Sequence, residues 1–223
     1  MLVSKKYEKH IATATKIVIK NGADILEIYQ LDENSVKHCK ILLDILKPKK
    51  NAVIADMGSG IGAVSRKMSA IRTDLSFKLV NNNKYQDEIT KVGDKLEKIY
   101  ASFHKTGIDE NSIDCVMFNY SIGYANLDKA FKETARILKN GGTLLVWDLE
   151  GKSQEMLDLL GYHTYDVEHF VKAAKKRGFD NNLISFPKST CKEFARTVKV
   201  DEAKFDRNMP CKPCLMRFDL IVC

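Results

Sequence analysis

Residues 53–62, Val53-Ile54-Ala55-Asp56-Met57-Gly58-Ser59-Gly60-Ile61-Gly62, run from a short apolar stretch through an acid into three glycines two residues apart. The helix-like Ala63-Val64-Ser65-Arg66-Lys67-Met68 follows directly. A strand that ends in a glycine turn and opens a helix is a design for binding a phosphate or a nucleotide. Glycine lets the backbone turn tightly and approach a ligand closely, and the helix N-terminus offers free N–H groups. The spacing is G-x-G-x-G with the acid ahead of the first glycine, which differs from the dinucleotide pattern G-x-G-x-x-G. Taken alone, such a turn is also compatible with no ligand at all.

The rest of the chain supplies a regular alternation. Residues 5–30 carry helical apolar spacing (Ile11, Ile17, Val18, Ile25, Leu26, Ile28), broken at Asn21-Gly22. Asn34-Ser35 can cap a helix from Val36 to Leu46, with Cys39, Leu42, Leu43 and Ile45 inward and Pro48 as its stop. Strands are predicted at 52–55, 77–80, 98–103, 113–119 and 143–147. Helices are predicted between them at 60–73, 85–96 and 127–138, the last closed by Asn140-Gly141-Gly142 as a glycine C-cap. A further helix over 167–177 ends at Gly178, and strands are expected at 183–186 and 214–222. Continuous apolar runs such as Cys115-Val116-Met117-Phe118 alternating with helices argue for a parallel sheet covered on both faces. No repeat or linker divides the chain, so one domain over 1–223 is expected, with 1–50 a helical cover and 51–223 the core.

Composition narrows the setting. In 223 residues, 44% hydrophobic and 29% charged, a single α/β domain can bury a real core. No run approaches the ~20 apolar residues of a membrane span, and the N-terminus has no signal-type apolar segment. Six scattered cysteines form no disulfide framework, which points to a reducing cytoplasm. Cys211-Lys212-Pro213-Cys214 lacks a second ligand pair at zinc spacing, so no metal is expected. The formal charge of +7 fits either solvated lysine-rich faces or a face that binds a polyanion. Its densest spots are Lys47-Pro48-Lys49-Lys50 and Lys172-Ala173-Ala174-Lys175-Lys176-Arg177.

Several motifs in order carry a likeness to a known family. They are the glycine turn; the polar Asn81-Asn82 ending the second strand, with Gln86 close behind; Ser102-Phe103 leading through a loop to Ile113-Asp114; and Ala135-Arg136-Ile137-Leu138-Lys139-Asn140-Gly141-Gly142 before the fifth strand. Residues 52–147 thus resemble the Rossmann-like (class I) S-adenosylmethionine-dependent methyltransferases, with a layout similar to that of the sterol, isoprenoid and other small-molecule enzymes. The resemblance implies an α/β, doubly wound, mostly parallel seven-stranded sheet with helices on both faces and an antiparallel C-terminal strand. It implies S-adenosylmethionine as cofactor, held by Asp56, Gly58, Ser59, Gly60, Gly62, Asn81, Asn82, Gln86, Ser102, Phe103 and Asn119. Asn81 and Ser102 stand where the family usually has carboxylates facing the ribose and the adenine. An amide at Asn81 can accept from one hydroxyl and donate to another, without a carboxylate's charge-assisted strength.

Residues 119–125 lie where the transferred methyl is expected, and Tyr120 and Tyr124 occupy positions that are often Glu and His in the sterol and isoprenoid enzymes. A tyrosine there can shape an apolar pocket, face a sulfonium with its ring or hydrogen-bond the acceptor; it can equally be a core or rim aromatic. Asp148 and Glu150 after the fifth strand, and His163 and Tyr165 further on, are expected near the acceptor. Methyl transfer is an in-line displacement that needs alignment and desolvation more than an acid–base apparatus. The absence of N-P-P-Y and of a Pro-Cys after the fourth strand disfavours adenine N6 and cytosine C5 chemistry. A small-molecule acceptor is the leading expectation. A nucleic-acid acceptor on a basic surface and a non-catalytic binding subunit are the alternatives.

Overall fold

In the computed structural model the described residues are 11–12, 15–16, 35–151, 162–184 and 211–220. Most of the helix expected over 5–30, including Asn21-Gly22, lies outside them; Ile11, Ala12, Thr15 and Lys16 are helical. The elements are α1 (Ser35–Leu46), β1 (Val53–Met57), α2 (Ala63–Ile71), β2 (Ser76–Asn81), α3 (Lys84–Ile89), β3 (Leu96–Tyr100), β4 (Ile113–Asn119), a 3₁₀ turn (Ile122–Tyr124), α4 (Leu127–Ile137), β5 (Leu138–Gly151), α5 (Val167–Lys175), β6 (Phe179–Ile184) and β7 (Cys211–Leu220).

The seven strands form one sheet in the order β3-β2-β1-β4-β5-β7-β6. The first five are parallel to one another, and β7 runs antiparallel to both β5 and β6. The continuous apolar runs resolve into two faces by the strand period of two. Ile54, Cys115, Met117, Leu145 and Trp147 join one core with Leu42 and Leu46 of α1 and Met68 of α2. Ala55, Val116, Phe118, Leu144 and Val146 join the other with Phe131 of α4 and Phe170 of α5. The runs Cys115–Phe118 and Leu144–Trp147 are unbroken because both faces of the sheet are covered there. The chain winds outward one way through β1, β2 and β3, then returns to place β4 on the other flank of β1. That reversal opens a crevice outside the carboxyl ends of β1 and β4, where an open α/β sheet takes its ligand.

Several boundaries differ from expectation. α2 begins at Ala63 rather than Gly60, because Gly58, Gly60 and Gly62 are all left-handed, with φ of +82°, +58° and +71°. α3 stops at Ile89, and β3 starts two residues ahead of the expected Lys98. The Asn140-Gly141-Gly142 segment is not a helix cap. α4 closes at Leu138 in an extended conformation, and β5 starts there. Pairing with β4 jumps from Ile113–Leu138 to Cys115–Thr143, so residues 139–142 bulge out of the ladder. A Cβ on Gly142 would stand 2.8 Å from the Lys139 carbonyl oxygen, which explains the glycine. β6 and β7 begin at Phe179 and Cys211, ahead of the expected 183 and 214.

α4 is fastened to the loop before β4 by one buried carboxylate. Glu133 Oε1 accepts from the Thr106 N–H (2.8 Å) and hydroxyl (2.7 Å), and both Glu133 oxygens accept from the Arg136 fork. Burial pushes this carboxyl up, but the donors from Arg136 and Thr106 outweigh it and hold it at about 2. The bond therefore contributes stability above the ordinary carboxylate range and loses it only as pH falls towards 2. Replacing Glu133 with Ala strands the Thr106 donors and removes the fork's partner. The expected loss in urea unfolding is about 2–3 kcal/mol at neutral pH, while Arg136→Ala should cost less because its side chain is 39% exposed. Equal losses would contradict this assignment.

Candidate cofactor and acceptor site

The glycine turn is built from three positions that are not alike. The N–H groups of Gly58 and Ser59 both donate to the Val80 carbonyl of β2 (2.8 and 3.1 Å), and Gly62 donates to the Ser59 carbonyl (2.8 Å). A Cβ on Gly58 would lie 2.5 Å from Cβ of Ser121, whose hydroxyl donates to the Met57 carbonyl. A Cβ on Gly62 would lie 2.9 Å from Leu79. These two glycines serve close packing. At Gly60 the nearest described atom to an added Cβ is Gln86 Nε2 at 3.9 Å. Among the described residues the turn is thus open at its middle residue. Beside it Ser59 Oγ is buried without a hydrogen-bond partner among the described residues, and so is Asn119 Oδ1 at the end of β4.

Asp56, the acid before the turn, is 2% exposed and accepts from Ser65 Oγ of α2 at 2.6 Å. It clamps the first turn of α2 to β1 beneath the glycines. Burial pushes its carboxyl up to about 6, partly opposed by the Ser65 hydroxyl.

The Asn81 amide closes the other wall. Its Nδ2 donates to the Gly60 carbonyl (2.9 Å) and to Gln86 Oε1 (3.1 Å). Gln86 Nε2 in turn donates to Thr15 Oγ1 (3.0 Å), and the Thr15 hydroxyl donates to the Ile11 carbonyl. Both Asn81 N–H groups are therefore spent inside the protein. Its Oδ1 has only a long contact from the Asn83 N–H, at 3.4 Å, and remains the atom able to accept from a ligand hydroxyl. Asn82 follows, half-buried, and Asn83 caps α3 by accepting from the Gln86 N–H.

Ser102 and Lys105 bracket a tight turn, with Ser102 Oγ accepting from the His104 N–H (3.2 Å). Phe103 is buried, edge-on to Phe118, and 3.7 Å from the position of a Cβ on Gly58, so it reaches the glycine turn. Burial keeps His104 below its ordinary value, and its Nε2 accepts from the Asn126 N–H at the start of α4.

On the acceptor side the two tyrosines part company. Tyr120 sits at φ +51°, a strained setting for a tyrosine. Its N–H donates to the Trp147 carbonyl and its ring leans on Trp147, within the core that holds α1 and α2. Tyr124 belongs to the opposite core and meets Tyr162 edge-on at 4.5 Å. Asp148, 1% exposed, accepts from the Ile122 N–H (3.0 Å) and from the Tyr162 hydroxyl. Burial first, then the Asp148 charge, drive the Tyr162 phenol well above its ordinary value, so it stays protonated and donating. The His163 N–H donates to the Gly123 carbonyl (2.8 Å), and the Tyr165 hydroxyl to that of Ala125 (2.9 Å). A Cβ on Gly123 would fall 2.2 Å from the Tyr162 ring, so only glycine admits that ring. Residues 162–165 are thereby seated on the 3₁₀ turn. Tyr162 and Thr15 carry no local sequence signal, since their partners lie 14 and 71 residues away. The Glu150 side chain lies outside the described residues.

Comparison with known proteins agrees with this fold. Residues 55–146 match the sequence family described as a methyltransferase domain. The chain is 29% identical to the sterol 4-C-methyltransferase strm-1 of Caenorhabditis elegans over 120 residues, covering 50% of this chain and 35% of that protein. It is 27% identical to ribosomal RNA-processing protein 8 of Caenorhabditis briggsae over 173 residues, covering 77% and 45%. The chain thus spans a third to a half of the length of these relatives. The crystal structure of geranyl diphosphate C-methyltransferase from Streptomyces coelicolor A3(2) superposes with a TM-score of 0.74 at 15% identity, covering 83% of this chain and 77% of that one.

The raised carboxyl of Asp56 has a measurable consequence. Below about pH 4 it is neutral folded and unfolded. Between about 4 and 6 the unfolded chain ionises while the folded chain holds its proton, so stability falls. Above 6 the cost is constant, at most about 3 kcal/mol. Asp56→Asn keeps an acceptor for Ser65 and removes the titration. It should be more stable than the parent at pH 7, by about 1–3 kcal/mol, and nearly equal to it at pH 4. A variant less stable at pH 7 would show that the ionised form is the one the fold prefers. In its fold and in the motifs of residues 55–146, the chain resembles the class I S-adenosylmethionine-dependent methyltransferases.

Proposed function

We propose that this chain transfers a methyl group from S-adenosylmethionine to a small-molecule acceptor in the cytoplasm. The observation that carries the reading is the open middle of the glycine turn at Gly60, flanked by two buried polar atoms, Ser59 Oγ and Asn119 Oδ1, that have no partner among the described residues. Those residues fit the cofactor: the turn leaves room for close backbone approach, Asn81 Oδ1 can accept from a ribose hydroxyl, and Phe103 offers an apolar wall for a base. Ser102, Asn82 and Gln86 complete that wall, while Asp56, Gly58 and Gly62 hold the turn in shape. When bound, the cofactor supplies an electrophilic sulfonium methyl. The chain's own part is to align the acceptor and exclude water. Tyr124 faces the acceptor, backed by Tyr162 and Asp148, and Tyr120 sets the path of the loop between them.

The seating of Tyr162, His163 and Tyr165 on the 3₁₀ turn supports a small acceptor, because it walls the crevice on that side. RNA as acceptor is the second reading, supported by the charge of +7 and by the likeness to ribosomal RNA-processing protein 8 over 77% of this chain. Incubation with methyl-labelled S-adenosylmethionine and either a metabolite extract or total RNA decides between them. Label in the small-molecule fraction supports the first reading and label in RNA the second. Cofactor binding with no transfer to either would leave a binding subunit.

Two glycine substitutions separate ligand contact from folding. Gly60→Ala places a methyl in the open turn. It should lower S-adenosylmethionine affinity at least about tenfold, with a loss of stability near 1 kcal/mol from the left-handed backbone. Gly58→Ala drives a methyl into Ser121 and should destabilise the fold by several times as much. Calorimetric titration alongside thermal unfolding measures both; unaltered affinity in Gly60→Ala would remove the cofactor from this turn.

A further inference from the structure

The basic segment Lys47-Pro48-Lys49-Lys50 has no part in the site above. It borders an open cleft of about 370 Å³ between the C-terminal ends of α1 and α2, lined by Lys40, Leu43, Asp44, Lys47, Pro48, Ile71 and Arg72. The glycine turn lies at the other end of α2, whose nine residues span about 13 Å. The cleft is therefore separate from the crevice.

Its cations are held in a fixed arrangement. Asp74 accepts from Arg72 Nε and Nη2 at 2.7 Å each, and its Oδ2 also accepts from the Asn51 N–H at 3.2 Å. That carboxylate staples the lysine turn to the end of α2. Lys47 and Asn51 are both left-handed, at φ +49° and +59°, and the turn is closed by Lys47 N–H to the Leu43 carbonyl and Ala52 N–H to the Lys49 carbonyl. Lys40, Lys47, Lys49 and Lys50 are exposed, and none has an ion-pair partner among the described residues. Other lysines are paired, Lys78 with Glu97, Lys98 with Asp87, Lys139 with Asp114 and Lys176 with Asp128. The cleft itself is lined by Lys40 and Lys47 with Asp44 as its acid, Arg72 being paired with Asp74, and Lys49 and Lys50 follow Pro48 in the chain just beyond the lining.

We infer that this cleft binds the phosphate backbone of single-stranded RNA. Lys40 and Lys47, without ion-pair partners among the described residues, stand on a concave apolar floor of Leu43, Pro48 and Ile71 with Lys49 and Lys50 next in the chain, which suits successive phosphates with their sugars laid inward. A concave cleft is poorly shaped for a flat bilayer. The walls are helices whose N–H groups are already bonded, and the lining has no aromatic ring for stacking and no acceptor set for reading base edges, so binding is independent of sequence. Affinity rests on counterion release and falls steeply with salt. The inference stands whichever acceptor the crevice takes, because the two sites are distinct.

The test uses a fluorescent oligouridine and the full chain, with anisotropy read at several salt concentrations. Two double variants carry the same change of charge: Lys40→Glu/Lys47→Glu in the cleft and Lys172→Glu/Lys175→Glu on exposed α5 positions. The expected result is binding by the parent, at least about tenfold weaker in the cleft variant, with the salt slope reduced by roughly 1.4, and close to unchanged in the α5 variant. Calorimetry with S-adenosylmethionine should read the same affinity in the parent and both variants, which keeps this outcome apart from any failure of the methyl-transfer reading. Three results would overturn the inference: no binding by the parent at about 100 mM salt, equal weakening in both variants, or equally tight cleft-dependent binding of polyglutamate, which would make the partner an acidic peptide.

Discussion

The hydrogen bond from Asn81 Nδ2 to the Gly60 carbonyl, 2.9 Å long, joins the end of β2 to the middle of the glycine turn. The turn's shape depends on it. Gly58 and Ser59 already lean on β2 through the Val80 carbonyl, and Gly62 is packed against Leu79. Of the three, only Gly60 has no close neighbour among the described residues, so the Asn81 amide, with a longer contact from the Thr90 hydroxyl at 3.4 Å, sets where its carbonyl points. An amide suits that task and a carboxylate does not, because the atom facing the Gly60 oxygen must donate. The neutral residue at this position is thus part of a different local construction, in which Gln86 and Thr15 extend the same chain of bonds.

Buried polar pairs do comparable work around the crevice. Asp56 with Ser65 fixes the start of α2, Glu133 with Thr106 and Arg136 fixes the loop before β4, and Asp148 with Ile122 and Tyr162 fixes the 3₁₀ turn. Each joins two elements at the rim rather than lying within one. The apolar cores on the two faces of the sheet hold the strands, and these carboxylates set the positions of the loops that the strands carry. Their pKa directions diverge for a physical reason. Asp56 has one hydroxyl donor against full burial and is pushed up, whereas Glu133 has a guanidinium and two further donors and is held down.

Much of the fold was legible from residues because two-sided burial writes itself into strands as unbroken apolar runs. Residues 113–119 and 143–147 show it most plainly, and they pair in parallel as expected. The C-terminal strand was legible from its residues, and its antiparallel direction is the one the family resemblance implied. What local pattern could not give was backbone geometry that depends on a partner strand. Gly141-Gly142 looks like a helix cap in sequence, but it is a bulge whose tightness comes from Asp114 and Lys139. The short α3 and the late start of α2 follow from left-handed glycines and from the Thr90 hydroxyl bonding back to the Gln86 carbonyl. In the candidate site, the glycine turn announces itself by type and spacing, and Asn81 enters through the family resemblance. Tyr162 and Thr15 do not, because each acts through a contact that exists only once distant segments have packed.

The central claim is that Asn81 serves the Gly60 carbonyl by donating, and serves the cofactor through its remaining oxygen. Calorimetric titration of S-adenosylmethionine into the parent and into Asn81→Asp tests it most directly. A carboxylate at this position would face the Gly60 carbonyl and Gln86 Oε1, so the account predicts that Asn81→Asp binds more weakly than the parent, by about tenfold or more. Tighter binding by Asn81→Asp, as expected of a carboxylate simply missing from a ribose site, would contradict it.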